Sequence, residues 1–122
     1  MKLHADAQTT LNTVTGYGPG WIEVNARRHE GALLVMPEGL LQGWAVDGFE
    51  ALAPADFEGL LAWAPELVVL GTGARQRFPH PRLTASLAAA RVGFEAMDTQ
   101  AAARTYNILM VEGRRVLAAL LA

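Results

Sequence analysis

The C-terminal half of the chain alternates between apolar runs and segments with helical spacing. Residues 67–70 are apolar at every position, which is typical of a strand covered on both faces in a parallel sheet. The pattern then predicts a helix over 81–93, a strand over 94–97, a helix over 98–113 and a last strand over 115–121. This order of strand, helix, strand, helix and strand predicts a β-α-β-α-β unit with parallel crossovers.

The helix over 98–113 has the clearest boundaries. Asp98 or Thr99 caps its first turn by accepting a backbone N–H, and Gly113 tolerates a left-handed turn at its end. One stripe, predicted to pack, holds Ala101, Thr105, Ile108 and Glu112 with Ala102 and Leu109 at its border, and another side holds Gln100, Arg104 and Asn107. Arg104 and Asn107 are candidates to hold a ligand or partner. The alternative is a structural role, with Arg104 pairing with an acid such as Asp98.

The N-terminal half shows shorter alternations that are typical of strands. Strands are predicted over 13–17 and 21–25 around a Gly/Pro turn at 18–20, then over 32–36 and 42–46, with further turns at 29–31 and 47–48. Ile22 and Val24 alternate with Trp21 and Glu23, so one face of that strand is predicted to be buried. The short connections indicate antiparallel pairing.

A helix is predicted over 54–64, with Phe57, Leu60, Leu61 and Ala64 at helical spacing on its inner side. The predicted fold is therefore α/β: a single compact three-layer domain over 11–122. It has a mixed sheet, with antiparallel N-terminal strands and a C-terminal β-α-β-α-β unit. Residues 1–10 are polar and are predicted to form a loose N-terminal segment.

Length and composition indicate one soluble domain. A chain of 122 residues buries a single core without metal or disulfide help. No run reaches the roughly 18 apolar residues that a membrane span requires. The first residues, Met-Lys-Leu-His-Ala-Asp, lack the apolar centre of a signal peptide, so we expect a cytoplasmic protein.

The net charge argues against nucleic acid as a partner, and the uneven distribution of charge along the chain has two interpretations. A net charge of −2 argues against a nucleic-acid binder, which requires a basic field. The first 66 residues carry three basic and nine acidic side chains, whereas the remainder carries seven arginines and three acids. Either these charges complement each other across the fold, or the C-terminal part offers a surface for an anion or an acidic partner.

Two loops that follow predicted parallel strands form the candidate site. The carboxyl ends of such strands converge on a crevice where ligands bind. In the Gly-Thr-Gly loop backbone N–H groups are open to an anion, and two following arginines add donors. The alternative is a tight turn that needs small residues. The full candidate ligand or partner surface comprises Gly71, Thr72, Gly73, Arg75, Arg77, Asp98, Thr99, Arg104 and Asn107.

The sequence offers few groups for catalysis. Gln76 stands where a dinucleotide fingerprint would place its third glycine, and there is no P-loop lysine. There is no cysteine, the only lysine is Lys2, and the only serine is Ser86 within a predicted helix, so most covalent mechanisms are excluded. The three histidines lie far apart, and His80 is either a loop residue beside a helix or a general base. We therefore assign no catalytic residue, metal or cofactor.

Several segments together resemble one family. They are Met97-Asp98-Thr99, Ala101-Ala102, Arg104-Thr105-Tyr106-Asn107 and Glu112-Gly113-Arg114, preceded by Tyr17-Gly18, Ile22, Trp44, Leu67 to Gly73 and Gly93. The chain thereby resembles a family of small uncharacterised α/β domains that includes the mitochondrial NADH:ubiquinone oxidoreductase (complex I) assembly factor 3. The resemblance implies a compact three-layer fold with a mixed sheet. It implies no agreed catalytic residues, and in the mitochondrial relatives a role in binding partner proteins.

Two hypotheses follow for function. The first is a non-enzymatic binding or assembly domain that holds a still unknown protein partner, with an oligomer also possible. The second is a small-molecule site, or an enzyme for an anionic substrate, between the two loops. An exposed apolar patch beside the loops favours the first hypothesis, whereas a closed pocket around a perturbed Asp98 or His80 favours the second.

Overall fold

The computed structural model describes residues 11–122, so the prediction for residues 1–10 lies outside the described part of the chain. The elements follow the order β1 (Val14–Gly18), β2 (Trp21–Val24), β3 (Arg27–Glu30), β4 (Leu33–Val35), β5 (Leu41–Gly43), α1 (Pro54–Glu58), β6 (Leu67–Gly71), α2 (Ala85–Ala89), β7 (Gly93–Met97), α3 (Thr99–Val111) and β8 (Val116–Leu120). Short 3-10 turns occupy Phe49–Ala51, Gly59–Trp63 and Pro81–Thr84. None of the helices in this part of the chain has the length and apolarity to span a bilayer.

A five-stranded mixed sheet in the order β5-β4-β8-β6-β7 forms the middle layer. β6 pairs in parallel with both β7 and β8, whereas β4 pairs antiparallel with β5 and β8. α3 and a separate sheet of β1, β2 and β3 cover one face, and the shorter helices cover the other. This arrangement confirms the predicted α/β class, the three layers, the mixed sheet and the parallel C-terminal unit.

The two central strands explain why the middle layer holds together. Every residue of β6 and β8 is buried. Val69 and Ala118 point into the core beneath α3, whereas Val68 and Leu117 point into the core beneath the short helices. Because side chains alternate along a strand, a continuous apolar run supplies both cores at once.

One predicted turn is wrong, as the sheet of β1, β2 and β3 shows. We predicted a turn at 29–31, but Arg27–Glu30 is a strand, paired with β2. The turn lies earlier, at Asn25 and Ala26, whose φ angles are 52° and 66°. Two consecutive left-handed residues suit a tight hairpin, and asparagine tolerates that region well. The edge strand was missed because its mostly charged, solvent-facing residues show no apolar alternation.

Three further predictions, one turn and two helices, are wrong in detail. The predicted hairpin turn at 47–48 does not join two strands, since the chain continues into the 3-10 turn Phe49–Ala51. The helices predicted over 54–64 and 81–93 are shorter, and each is part α-helix and part 3-10 turn. Ala64 is exposed with φ 49°, so it ends the first of these helices instead of packing inward. Its φ lies in the left-handed region, which ends a helix because the following residues leave its axis.

α3 has the predicted boundaries but a different buried face. The Asp98 carboxylate accepts a hydrogen bond from Ala101 N at 2.9 Å, and Gly113 adopts φ 82° after the helix. The buried helical residues are Thr99, Ala102, Ala103, Tyr106 and Met110, whereas Ile108 is 55% exposed. The predicted packing stripe was therefore centred on the wrong side. Small alanines on the buried face let the helix lie close to the sheet. The prediction was wrong because it gave more weight to the larger, more hydrophobic Ile108.

Candidate functional site

The two predicted loops meet at one edge of the sheet. The 71–73 corner follows β6, and the 98–99 corner follows the neighbouring parallel strand β7. Gly73 N donates a hydrogen bond to Thr99 Oγ1, and Thr99 N donates one to Gly73 O, both at 2.9 Å. The convergence expected for adjacent parallel strands thus becomes direct contact between the corners.

Gly71 is required by this close approach. A Cβ atom on Gly71 would lie 2.9 Å from Thr99 Oγ1, 3.0 Å from Leu120 Cδ2 and 3.1 Å from Thr99 Cα. No real side chain fits at such separations without displacing its neighbours. The small residue predicted at the turn is therefore needed because α3 begins directly against it.

The two threonine hydroxyls hold backbone groups. Thr99 Oγ1 donates to Leu121 O at 2.6 Å while it accepts from Gly73 N, so it ties three segments together. Thr72 Oγ1 lies 2.7 Å from Arg75 O and accepts from Arg77 N at 3.2 Å. Both hydroxyls are buried and satisfied, which is how buried polar groups are normally retained.

The two arginines of the first loop differ in their surroundings. Arg77 forms an ion pair with Glu50, and its guanidinium lies 4.3 Å from the centre of the Phe49 ring. The hydrogen bond from Arg77 lowers the pKa of the Glu50 carboxyl below its ordinary value. Arg75 is exposed and contributes only its carbonyl to the contacts of Thr72. Arg77 therefore already has an anionic partner, whereas the Arg75 side chain faces solvent.

Part of the uneven charge along the sequence is compensated by contacts across the fold. Arg114 Nε donates to Glu66 at 2.7 Å, and Arg115 N donates to the same carboxylate at 3.0 Å. These contacts, the backbone bond from Arg115 first, lower the pKa of Glu66. Together with Arg77 and Glu50, they join basic C-terminal residues to acidic N-terminal ones. This geometry supports the interpretation that opposite charges complement each other.

An open cleft of about 650 Å³ lies beside the two corners. The turn between β1 and β2 forms one wall, with Tyr17 and Pro19, and Ala74, Asp98 and Gln100 form the other. We call this the corner cleft. Tyr17 is 43% exposed, and the surrounding wall is built mainly from glycine, alanine and proline. The β1–β2 turn was not predicted to lie beside the two corners, although its Gly-Pro-Gly composition marked it as a turn.

Asn107 and Arg104 lie on a second, smaller cavity of about 210 Å³ next to the corner cleft. Tyr17 and Gln100 line both cavities, so the two adjoin. The Asn107 side chain accepts from Val14 N at 3.0 Å and donates to Val14 O at 2.8 Å. Asn107 thus has a structural role, whereas Arg104 is exposed at the rim.

The structure also gives the surroundings of His80 and the arrangement of side chains that could bind a metal ion. His80 Nδ1 accepts from Arg82 N at 3.1 Å and caps the 3-10 turn that starts at Pro81. It does not line the corner cleft, so the structure places it as a residue beside a helix. Among residues 11–122, no group of three or more histidine, aspartate or glutamate side chains is arranged to bind a metal ion.

Fold and cleft together define a small α/β domain with an open, small-residue cleft at the carboxyl ends of two parallel strands. The chain belongs to the family described as "Protein of unknown function (DUF498/DUF598)", whose profile matches residues 14–121. This confirms the resemblance recognised from the sequence motifs.

Relatives of known sequence and structure agree with this assignment. An uncharacterised protein of Rhodobacter capsulatus is 38% identical over 88% of this chain and 82% of its own length. The NADH dehydrogenase [ubiquinone] 1 alpha subcomplex assembly factor 3 of Danio rerio is 30% identical over 99% of this chain and 68% of its own length. A crystal structure from Bordetella parapertussis, 50% identical, superimposes with a TM-score of 0.86 over 92% of this chain and 96% of that one.

Proposed function

We propose that this chain is a non-catalytic binding or assembly domain that holds a protein partner at the corner cleft. The observation that carries the proposal is that polar side chains at the two corners are already hydrogen-bonded or ion-paired within this chain. Thr72, Thr99 and Asp98 all bind backbone groups of this chain, and Arg77 binds Glu50. The remaining surface of the corner cleft is open, has few polar side chains and is rich in small residues. Such a surface suits binding of a polypeptide by shape.

The family relationship supports the same proposal. The zebrafish relative is named as an assembly factor of NADH dehydrogenase, and a factor of that kind binds other proteins. We extend only the general role of protein binding to this chain. The partner of this chain would cover the exposed Tyr17 ring and reach into the cleft beside Ala74.

The test is a blocking substitution with a matched control. Ala74→Arg places a long charged side chain in the corner cleft, whereas Ala88→Arg makes the same change at an exposed alanine of α2 outside it. Tagged wild type and both variants are used for quantitative affinity capture from the native cell. We expect a protein captured by wild type and Ala88→Arg to be lost with Ala74→Arg. Undiminished capture by Ala74→Arg would remove the cleft from the interface.

A small anionic ligand is the second candidate function, and exposure of Arg75 beside Ala74 favours it. A guanidinium next to the cleft offers several donors to a carboxylate or phosphate. The probes are phosphate and citrate in a thermal-shift series, with Arg75→Ala and, as control, Arg91→Ala at another exposed arginine. Stabilisation that disappears only in Arg75→Ala supports the anion site, because a ligand stabilises only the state that binds it. Equal stabilisation of both variants excludes Arg75 from anion binding.

A further inference from the structure

The strand β1 has one edge that faces α3. Within residues 11–122, β1 pairs with β2 alone, and the smaller cavity lies along its other edge. We call this the β1 groove. It is bounded by Thr15, Gly16 and Tyr17 on the strand and by Gln100 and Arg104 on the helix. An open strand edge beside a groove is the geometry used when an extended peptide adds to a sheet.

Asn107 shows that this edge accepts a neighbour. Its side-chain amide offers a donor and an acceptor to Val14, as the backbone of an adjacent strand would. The amide occupies only the first position of the edge. In the described part of the chain, β1 continues from there to Gly18 with β2 as its only strand partner, and the groove adjoins the corner cleft at Tyr17.

We infer that the β1 groove binds an extended peptide segment carrying an acidic side chain, which Arg104 receives. This inference rests on the proposed function, and it names the chemistry of the partner. Arg104 is exposed on the groove and belongs to neither of the two ion pairs found within residues 11–122. A carboxylate is the natural counterpart of an available guanidinium.

A negative charge lies in the corner cleft, beyond the end of the β1 groove. Asp98 lies six residues before Arg104 on the same helix segment, a rise of about 9 Å at 1.5 Å per residue. About three residues of an extended peptide cover that distance. In a peptide that runs from the β1 groove into the corner cleft, the acidic side chain therefore lies at Arg104, and a second acid about three residues away would approach the Asp98 carboxylate, which disfavours it.

The experiment selects a phage-displayed random heptapeptide library on the whole chain. We expect enrichment of aspartate or glutamate at one position and depletion of acids three residues from it. Arg104→Glu is expected to reverse the preference at the first position to lysine or arginine. It should weaken a selected acidic peptide roughly tenfold, because an attraction becomes a repulsion. Arg82→Glu, at an exposed arginine away from the groove, is the matched control and should change neither result.

N-methylation of the selected peptide tests the strand-like binding itself. Alternate N–H groups of an added strand point toward β1, so methylation should abolish binding at every second position and have little effect between them. Uniform tolerance of methylation, or an unchanged preference in Arg104→Glu, would overturn the inference. Loss of the captured partner in Ala74→Arg without any selected acidic peptide would leave the proposed function standing while this inference fails.

Discussion

Replacing Gly71 by alanine is expected to destabilise the domain strongly, because the two corners leave no space for a Cβ atom. The new atom would lie 2.9 Å from Thr99 Oγ1 and 3.0 Å from Leu120 Cδ2. Overpacking of this kind costs about 1–3 kcal/mol. Moving the Thr99 hydroxyl weakens its bonds to Leu121 O and Gly73 N, each contributing about 0.5–1.5 kcal/mol.

One effect opposes this loss. Alanine restricts the unfolded chain more than glycine does, which stabilises the folded state by about 0.4–1 kcal/mol. The net cost of Gly71→Ala is then about 2–4 kcal/mol in the free energy of unfolding. For a domain of this size that corresponds to a fall in Tm of about 8–16 °C. The measurement is urea denaturation followed by circular dichroism, with the thermal midpoint as a second observable.

Gly59→Ala is the matched control. Gly59 has an ordinary helical backbone, with φ −61°, and no atom lies within 4 Å of the Cβ that alanine would add. We expect this variant to be neutral or more stable by up to about 1 kcal/mol. If Gly71→Ala unfolds within about 0.5 kcal/mol of Gly59→Ala, the contact between the corners is not as tight as described.

A double-mutant cycle identifies the atom responsible. Thr99→Ala removes the hydroxyl that lies nearest to the added Cβ. Gly71→Ala should therefore cost less in the Thr99→Ala background, with a coupling energy of about 1 kcal/mol. Additive costs would show that the strain is relieved elsewhere, for example by Leu120.

Three further predictions concern hydrogen bonds and an ion pair outside the corner cleft. Asn107→Ala should lower the free energy of unfolding by about 1–3 kcal/mol, because both backbone groups of Val14 lose their partner, and hydrogen exchange at the Val14 amide should accelerate. Tyr106→Phe removes the hydroxyl that donates to a main-chain oxygen at 2.6 Å and should cost about 1 kcal/mol. Burial raises the pKa of Tyr106, so wild-type stability should also fall as pH rises above 10, a decline that this variant lacks. The pKa of Glu66 is lowered from 4.5, so its stabilising contribution is present above that pH and is lost as pH falls through the folded-state pKa. In urea titrations at several pH values, the free energy of unfolding of Glu66→Gln should therefore fall less steeply at acid pH than that of wild type.

Each of these has a contradicting result. Unchanged exchange at Val14 would mean that Asn107 does not protect the strand edge. Equal alkaline stability of wild type and Tyr106→Phe would mean that the phenol is more accessible than its buried position indicates. An identical acid limb in Glu66→Gln would remove this carboxylate from the groups that couple folding to pH.

The sequence predicted the middle layer well because its signals are local and strong. The continuous apolar runs at 67–70 and 115–121 identified the two central strands, and the capped alanine-rich segment identified α3. β3 could not be recognised, since a charged edge strand buries almost nothing that a periodic pattern detects. The buried face of α3 was also missed, because alanines and a tyrosine pack there while Ile108 faces solvent.

For the site, the sequence predicted which loops meet but not what their side chains do. Adjacent carboxyl ends follow from the order of elements, so the contact of the 71–73 and 98–99 corners was predictable. The pairing of Arg77 with Glu50 was not, because nothing local links residues 27 positions apart. The same holds for Asn107 and Val14, which are separated by 93 positions. The ligand or partner role of the named residues stays a prediction.

The place of β8 within the sheet has a consequence for how the protein folds during synthesis. This strand is the last in chain order, yet it lies between β4 and β6 and pairs with both. While the ribosome is still making residues before it, the antiparallel β4–β5 pair and the parallel β6–β7 pair have no shared neighbour to join them. Their inward edges would stay open to chaperones or to other nascent chains until β8 arrives. A chain stalled before residue 116 should accordingly be sensitive to protease, and it should become resistant in a single step once the strand has emerged.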